Sequence, residues 1–260
     1  SAALGGSAAF IGEGRLPERP ISEILNVLHT LGATTTSEHL PLTISGPLHG
    51  GTVSLPGHIS SQYLTGLLLA APLLSEALDI TLTTPLQSRP YIDLTLDVLR
   101  RFGVAVEKDG SHFHVAADAA YRLPENGGCT IEGDWSNAAF FLAAGALSAP
   151  VTMTGLDLSS SQGDKAIVEL LRGFGANVQI SDDAITIAPA PLQAQTISVK
   201  EIPDALPILS VIAAQAEGTT VFTDIERLRL KESDRIATTS AMLTAMGVPC
   251  DSDEHTMRVT

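Results

Sequence analysis

Four short stretches carry polar side chains in patterns suited to holding anions and moving protons. Ser60, Ser61 and Gln62 stand directly before an apolar run that begins at Leu64, the place of a helix start. Backbone N–H groups without partners and the helix dipole make such a terminus attractive to an anion, and hydroxyls add neutral donors that fit a phosphate. One serine would be explained by capping alone, whereas two serines and a glutamine exceed what a cap requires. Ser88 and Arg89 repeat the pattern ahead of Pro90, a residue suited to the first turn of a helix, with Tyr91 beside it. Asp204, after Ile202 and Pro203, opens the apolar run ALPILSVIAA and reads either as a bare N-cap or as a carboxylate with chemistry to do. Lys231, Glu232 and Arg235 are expected to open another helix. Lys231 and Arg235, four apart, would share one face, and Glu232, three from Arg235, would form at least a surface ion pair.

The elements that must position these residues come from a repeat. Gly32, Gly103, Gly175 and Gly247 close the phrases LHTLGA, LRRFGV, LRGFGA and LTAMGV at steps of 71, 72 and 72 residues. Each phrase ends a stretch with helical spacing, such as Ile92, Leu96, Leu99 and Phe102, and the glycine supplies the left-handed residue that stops the helix. A hairpin pattern follows every phrase, as in VAVEKDGSHFHV, and a further helix and strand precede it. The unit therefore reads βαβαββ, and the fold class is α/β (α+β) built by repetition. The basic clusters of an otherwise acidic chain fall at one phase of this repeat: Arg15 and Arg19 in GRLPERP, Arg89 in QSRPY, and Arg227, Arg229, Lys231 and Arg235 in ERLRLKESDR. Equivalent loops of a repeat array tend to lie on a common face.

Composition sets bounds on function. The chain has 260 residues, 44% of them hydrophobic, and a formal net charge of −14, with a mean hydropathy of +0.23 and a pI near 4.7. That is ample material for one large or two medium cores, and such acidity argues against a nucleic-acid surface. LLLAAPLL is the longest apolar run, too short for a bilayer, and no signal core follows a basic start. Two cysteines, Cys129 and Cys250, give neither a metal spacing nor a disulfide framework, so a reducing cytoplasm is expected.

Taken together, SSQYLTGLLLAAP, SRPYIDLTLDVLRRFGV, IPDALPIL and LRLKESDRIA resemble the 5-enolpyruvylshikimate-3-phosphate synthases, over a span from GEGRLPERPI to the last residue. The resemblance implies two similar globes around an interdomain cleft, each made of three such units, dividing here near residues 130–134. Residues 1–130 would be part of the globe that binds shikimate 3-phosphate; residues 131–260 would be part of the second, with the catalytic aspartate and phosphoenolpyruvate-binding groups. Six units of about 72 residues would make roughly 430 residues, so the chain is expected to be incomplete.

For the site, the resemblance implies that Ser60, Ser61 and Ser88 hold the shikimate 3-phosphate phosphate, that Gln62 reaches between the substrates, and that Tyr91 approaches the shikimate ring. Arg89 would be a further phosphate partner. Asp204 would hold the shikimate 5-hydroxyl and accept its proton, a task that suits a carboxylate because the hydroxyl must lose its proton as the new bond forms. Lys231 would contact the shikimate hydroxyls, Glu232 would take part in proton transfer at the phosphoenolpyruvate methylene, and Arg235 and Arg15 would hold phosphoenolpyruvate. Arg227 stands where many members carry a substrate-binding asparagine. The implied reaction is addition and elimination with no cofactor and no metal, by a monomer whose partners are its two small substrates, not nucleic acid or a membrane. Two alternatives stand beside it. A UDP-N-acetylglucosamine enolpyruvyl transferase would use a loop cysteine, and neither Cys129, expected at a strand start, nor Cys250, in a hairpin, fits that place. An inactive structural piece with half a binding site would need no chemistry.

Overall fold

The four glycine phrases become four copies of one helix ending. In the computed structural model, which describes residues 1–260 except Glu125, Asn126 and Glu232, all four glycines have positive φ, at 100°, 78°, 101° and 82°. Each glycine N–H donates to the carbonyl three residues back, and the following N–H, from Ala33, Val104, Ala176 or Val248, donates to the leucine that opens the phrase at 2.9–3.0 Å. This is the paired hydrogen bonding of a Schellman ending, which needs an αL residue and brings two apolar residues together across the turn. Leu, Gly and Ala/Val recur at fixed places in the phrase for that reason.

The chain divides into two compact units, Ser1–Cys129 and Thr130–Thr260. The first contains β1 (Ser7–Phe10), α1 (Ser22–Thr30), β2 (Thr34–Thr35) and β3 (Leu42–Ser45), then β4 (Gly51–Leu55), α2 (Ser61–Ala70), β5 (Leu78–Leu82), α3 (Arg89–Arg101), β6 (Glu107–Asp109) and β7 (His112–Val115). The second contains α4 (Trp135–Leu147), β8 (Val151–Thr154), α5 (Ile167–Phe174), β9 (Asn177–Ile180) and β10 (Ala184–Ala188), then β11 (Thr196–Ser198), α6 (Leu206–Ala213), β12 (Thr220–Thr223), α7 (Arg235–Ala245), β13 (Cys250–Ser252) and β14 (Thr256–Val259). Each unit has a three-stranded sheet, β1-β3-β2 or β8-β10-β9, and a four-stranded sheet, β4-β5-β7-β6 or β11-β12-β14-β13.

The four-stranded sheets are the complete repeats. Their first two strands are parallel, β4 with β5 and β11 with β12, and the rest pair antiparallel. Parallel neighbours require a crossover, which α2 and α6 supply. Alternation buries one face: Leu78, Ile80 and Leu82 on β5 face a core with Phe113 and Val115, while Met257 and Val259 on β14 join Phe222 in the other unit. Each unit thus closes its own hydrophobic cluster, the second around the fully buried Trp135, Phe174 and Leu209. No described helix is long and apolar enough to cross a membrane.

The repeat expected before α4 is shorter than its counterparts. Residues 130–134 form no strand, so Cys129 does not begin one, and Ile131 is exposed. Gly133 packs closely within this segment: a Cβ there would stand 2.5 Å from the Gly155 carbonyl oxygen, and its own carbonyl accepts from the Gln162 side chain at 2.9 Å. The segment is therefore fastened by a side chain.

Candidate active site

In the first unit, two parallel strands feed two helices that start at the same end of the sheet, since α2 follows β4 and α3 follows β5. Such carboxyl ends of parallel strands are where open α/β sheets bind ligands. The two connecting loops are laced together. His58 Nδ1 lies 2.7 Å from Thr84 Oγ1, and the Gln87 N–H donates to the Gly57 carbonyl at 3.2 Å. Gly57 must be glycine here, because a Cβ would sit 2.7 Å from the Thr84 carbonyl oxygen. Lower down, Thr65 and Thr95 share a hydrogen bond of 2.9 Å between the helices.

This lacing places Ser60 and Ser61 at the head of α2 and Ser88 at the head of α3, all buried. Neither N-terminal serine, Ser60 or Ser88, uses its side chain to cap its helix. Ser88 also holds φ at 55°, a left-handed conformation that costs a residue with a Cβ free energy and collects at functional sites. Gln62 is exposed in the first turn of α2, and Tyr91 is half-buried in that of α3. Arg89 pairs with Asp93 at 3.2 Å and lines an open groove with Lys108. Arg15 pairs with Glu18 at 3.3 Å in a segment anchored to α2, where the Tyr63 hydroxyl donates to the Pro20 carbonyl at 2.7 Å. Burial raises the Tyr63 pKa, with Arg19 opposing and Glu23 reinforcing the shift. Tyr63 reads in sequence as one more helix residue, so its anchoring role had no signal.

In the second unit the same topology places Asp204 after β11 and the segment from Lys231 to Arg235 after β12. Asp204 is not an N-cap. It sits within the 3₁₀ turn Pro203–Ala205, for which Ile202 is the flanking residue. Its Oδ1 lies 3.5 Å from Lys231 Nζ and 3.9 Å from an Arg235 guanidinium nitrogen. Lys231 and Arg235 do not share a helix face, contrary to the spacing argument: Lys231 is extended, and α7 begins only at Arg235. Asp234 displaces the start, since its carboxylate accepts from the Ala237 N–H at 2.9 Å, and aspartate is among the best N-caps. Glu232 lies outside the described residues. Arg229 serves the frame, donating to the Asp253 carbonyl at 2.7 Å.

Asp164 was missed in the sequence. It lies on the 3₁₀ turn Gly163–Ala166 against the first turn of α4, is buried, and accepts a hydrogen bond from the Ser136 hydroxyl. Burial raises its pKa; the Ser136 hydrogen bond opposes, the nearby carboxylates Asp204 and Asp134 raise it further, and Lys231 lowers it. The loop before it is locked in place, with Gln162 accepting from the Trp135 N–H at 2.9 Å. Among the described residues no cluster of three or more His, Cys, Asp or Glu side chains is arranged to hold a metal ion.

Comparison with known proteins gives this arrangement a family. The sequence model of EPSP synthase (3-phosphoshikimate 1-carboxyvinyltransferase) matches residues 1–260. A 3-phosphoshikimate 1-carboxyvinyltransferase of Methanocorpusculum labreanum is 39% identical over 99% of this chain and 61% of that protein, and one of Clostridium kluyveri is 38% identical over 99% and 60%. The chain thus spans about three fifths of the length of these relatives. Among solved structures, an EPSP synthase from Acinetobacter baumannii superposes with a TM-score of 0.74 at 26% identity, over 98% of this chain and 60% of that one. The enolpyruvyl transferase NikO from Streptomyces tendae shares the fold, with a TM-score of 0.72 at 20% identity over the same shares.

Proposed function

Because the chain belongs to the EPSP synthase family, we propose that the whole protein transfers the enolpyruvyl group of phosphoenolpyruvate to the 5-hydroxyl of shikimate 3-phosphate and releases phosphate. One observation carries the reading: Asp204 Oδ1 is shared by Lys231 and Arg235, three residues that two loops bring together at the end of a parallel strand pair. A carboxylate between two cations is a base among anion-binding groups, the combination that deprotonation of a hydroxyl beside an anionic enol requires.

In this reading Ser60, Ser61 and Ser88 hold the phosphate of shikimate 3-phosphate, with Gln62 and Tyr91 alongside. Asp204 takes the hydroxyl proton as the oxygen bonds to the enol carbon, and the methylene carbon gains a proton. Glu232 is the proposed carrier at that carbon. Loss of that proton and rupture of the carbon–oxygen bond to phosphate then release the product. Lys231 fixes the shikimate hydroxyls, and Arg235 and Arg15 bind phosphoenolpyruvate. Arg89 is the weakest member of the set, since its side chain is drawn toward Asp93.

The test is acceptor choice. The whole protein should release phosphate from phosphoenolpyruvate with shikimate 3-phosphate, much less with shikimate, and not with UDP-N-acetylglucosamine. Turnover with the UDP-sugar alone would replace this reading with the related transferase.

A further inference from the structure

The 3₁₀ turn Glu226–Leu230 stands immediately before Lys231, and three of its side chains pin it. Leu228 is buried in the core of the second unit. At one end of the turn Glu226 Oε1 lies 2.5 Å from His255 Nδ1. Near the other end Arg229 Nη2 donates to the Asp253 carbonyl at 2.7 Å and to the Ser252 hydroxyl at 3.4 Å. The β13–β14 turn that receives these contacts is itself braced, because the Asp253 carboxylate accepts from the His255 and Thr256 N–H groups and from the Thr256 hydroxyl. The approach to Lys231 is thus fastened to the hairpin.

Arg229 also reaches forward. Its Nη1 lies 3.8 Å from Asp234 Oδ2, while Asp234 Oδ1 caps α7 at the Ala237 N–H. One guanidinium therefore brackets the stretch that holds Lys231: one arm is anchored in the hairpin, and the other meets the residue that sets where α7, and with it Arg235, begins. Lys231 and Arg235 both approach Asp204 Oδ1, at 3.5 and 3.9 Å. No helix sets that spacing, since Lys231 is extended and precedes α7. Arginine suits a bracket of this kind, because its planar fork holds five N–H donors in fixed directions, whereas a lysine ammonium is a compact charge on a flexible stem.

We propose that Arg229 is a positioning residue for Lys231 and Arg235, a clamp that joins the β13–β14 turn to the cap of α7 and so holds both cations at Asp204. This rests on the preceding reading, in which Asp204 is the base and the two cations meet the substrates. As an ion pair, the Arg229–Asp234 contact is partly exposed and adds little to stability. Its effect is on geometry, where a misplacement of about 1 Å originating far from the chemistry costs up to roughly a hundredfold in rate.

The experiment compares Arg229→Ala, Arg229→Lys and Asp234→Asn in the whole protein, together with the double variant Arg229→Ala/Asp234→Asn. Asparagine caps a helix about as well as aspartate, so Asp234→Asn removes the charge that Arg229 meets and keeps the start of α7. Folding is verified by melting temperature. Two readouts are taken: steady-state kinetics in both substrates, and the NMR signal of dimethylated Lys231, assigned with Lys231→Arg. Arg229→Ala should raise KM for phosphoenolpyruvate and lower kcat, each by roughly tenfold, and should move the Lys231 signal. Arg229→Lys should do nearly the same although the charge remains. Asp234→Asn should give a smaller change of the same kind, and the double variant should be no worse than Arg229→Ala, because both substitutions act through one contact. A folded Arg229→Ala protein with the Lys231 signal of the wild type overturns the proposal, even if kcat falls, and so does a double variant whose losses multiply. A wild-type protein that transfers no enolpyruvyl group, yet shows the Lys231 signal move on Arg229→Ala, removes the preceding reading and leaves the clamp intact.

Discussion

Thr65 of α2 and Thr95 of α3 meet in a hydrogen bond of 2.9 Å, and this contact fixes the spacing of the two helix starts that carry Ser60, Ser61 and Ser88. Thr95 also donates to the Tyr91 carbonyl at 2.7 Å, so its hydroxyl links the neighbouring helix to the first turn of its own. The buried serines are therefore held by a frame that does not consume their side chains as caps.

Ser88 separates backbone strain from ligand binding. At φ 55° a glycine relaxes the conformation, whereas an alanine keeps the strain and loses only the hydroxyl. Both Ser88→Gly and Ser88→Ala should weaken shikimate 3-phosphate binding by roughly 10–100-fold, the loss of a hydrogen bond to a charged group. Ser88→Gly should nevertheless melt above Ser88→Ala. Calorimetric titration and thermal melting on the same two variants check both halves.

Two of the glycine endings distinguish conformational cost from crowding. At Gly247 an added Cβ meets nothing within 4 Å, but at Gly32 it would stand 2.9 Å from the His49 ring. Gly247→Ala should cost about 1–2 kcal/mol, the price of αL alone for an L residue. Gly32→Ala should cost more unless His49 turns away. Denaturant unfolding of the two variants gives the comparison directly.

What the sequence revealed follows from which interactions are local. A Schellman ending is written within six consecutive residues, so all four could be read from LHTLGA and its relatives, and the hairpins after them follow from short alternation. The phase of Ser60, Ser88 and Asp204 was legible because each follows a strand of a parallel pair. The start of α7 was not, because Lys231 is a good helix former and only the capping of Ala237 by Asp234 shows that the helix begins a turn later. Asp164 was invisible for a different reason. In SSQGDK it reads as a loop aspartate, and its burial comes from packing against Ser136, 28 residues away.

The hairpin between β13 and β14 carries a pH signal. Asp253 accepts from the His255 and Thr256 N–H groups and from the Thr256 hydroxyl, which lower its pKa to about 2. A depressed carboxylate contributes stability that is present above its unfolded pKa and lost as pH falls through the folded value, here between roughly 4 and 2. In the same turn the Glu226 hydrogen bond raises the His255 pKa, a contribution fully present below the unfolded value and lost as pH rises through the folded one. NMR titration should find Asp253 still charged near pH 3 and His255 titrating above its ordinary value, and Glu226→Gln should move His255 down.

The contrast between Asp204 and Arg235 tests the chemistry. Asp204→Ala in the whole protein should depress kcat by at least roughly a hundredfold, since a positioned base contributes about 10²–10⁴ in rate, while shikimate 3-phosphate affinity stays within about tenfold because, in the proposed site, its phosphate is held by the serines. Arg235→Ala removes one of the two cations on Asp204 and, in the proposed site, one of the groups that bind phosphoenolpyruvate, so KM for phosphoenolpyruvate should rise with the shikimate side little changed. Steady-state kinetics in both substrates, with melting curves to show that each variant is folded, distinguish the two outcomes. A structural role cannot mimic the first result, because Asp204 caps no helix and loss of a surface-type ion pair costs stability without lowering turnover per folded molecule. Near-normal kcat in folded Asp204→Ala would leave Lys231 and Arg235 as anion-binding groups around a carboxylate that merely spaces them, and the base would have to be sought elsewhere.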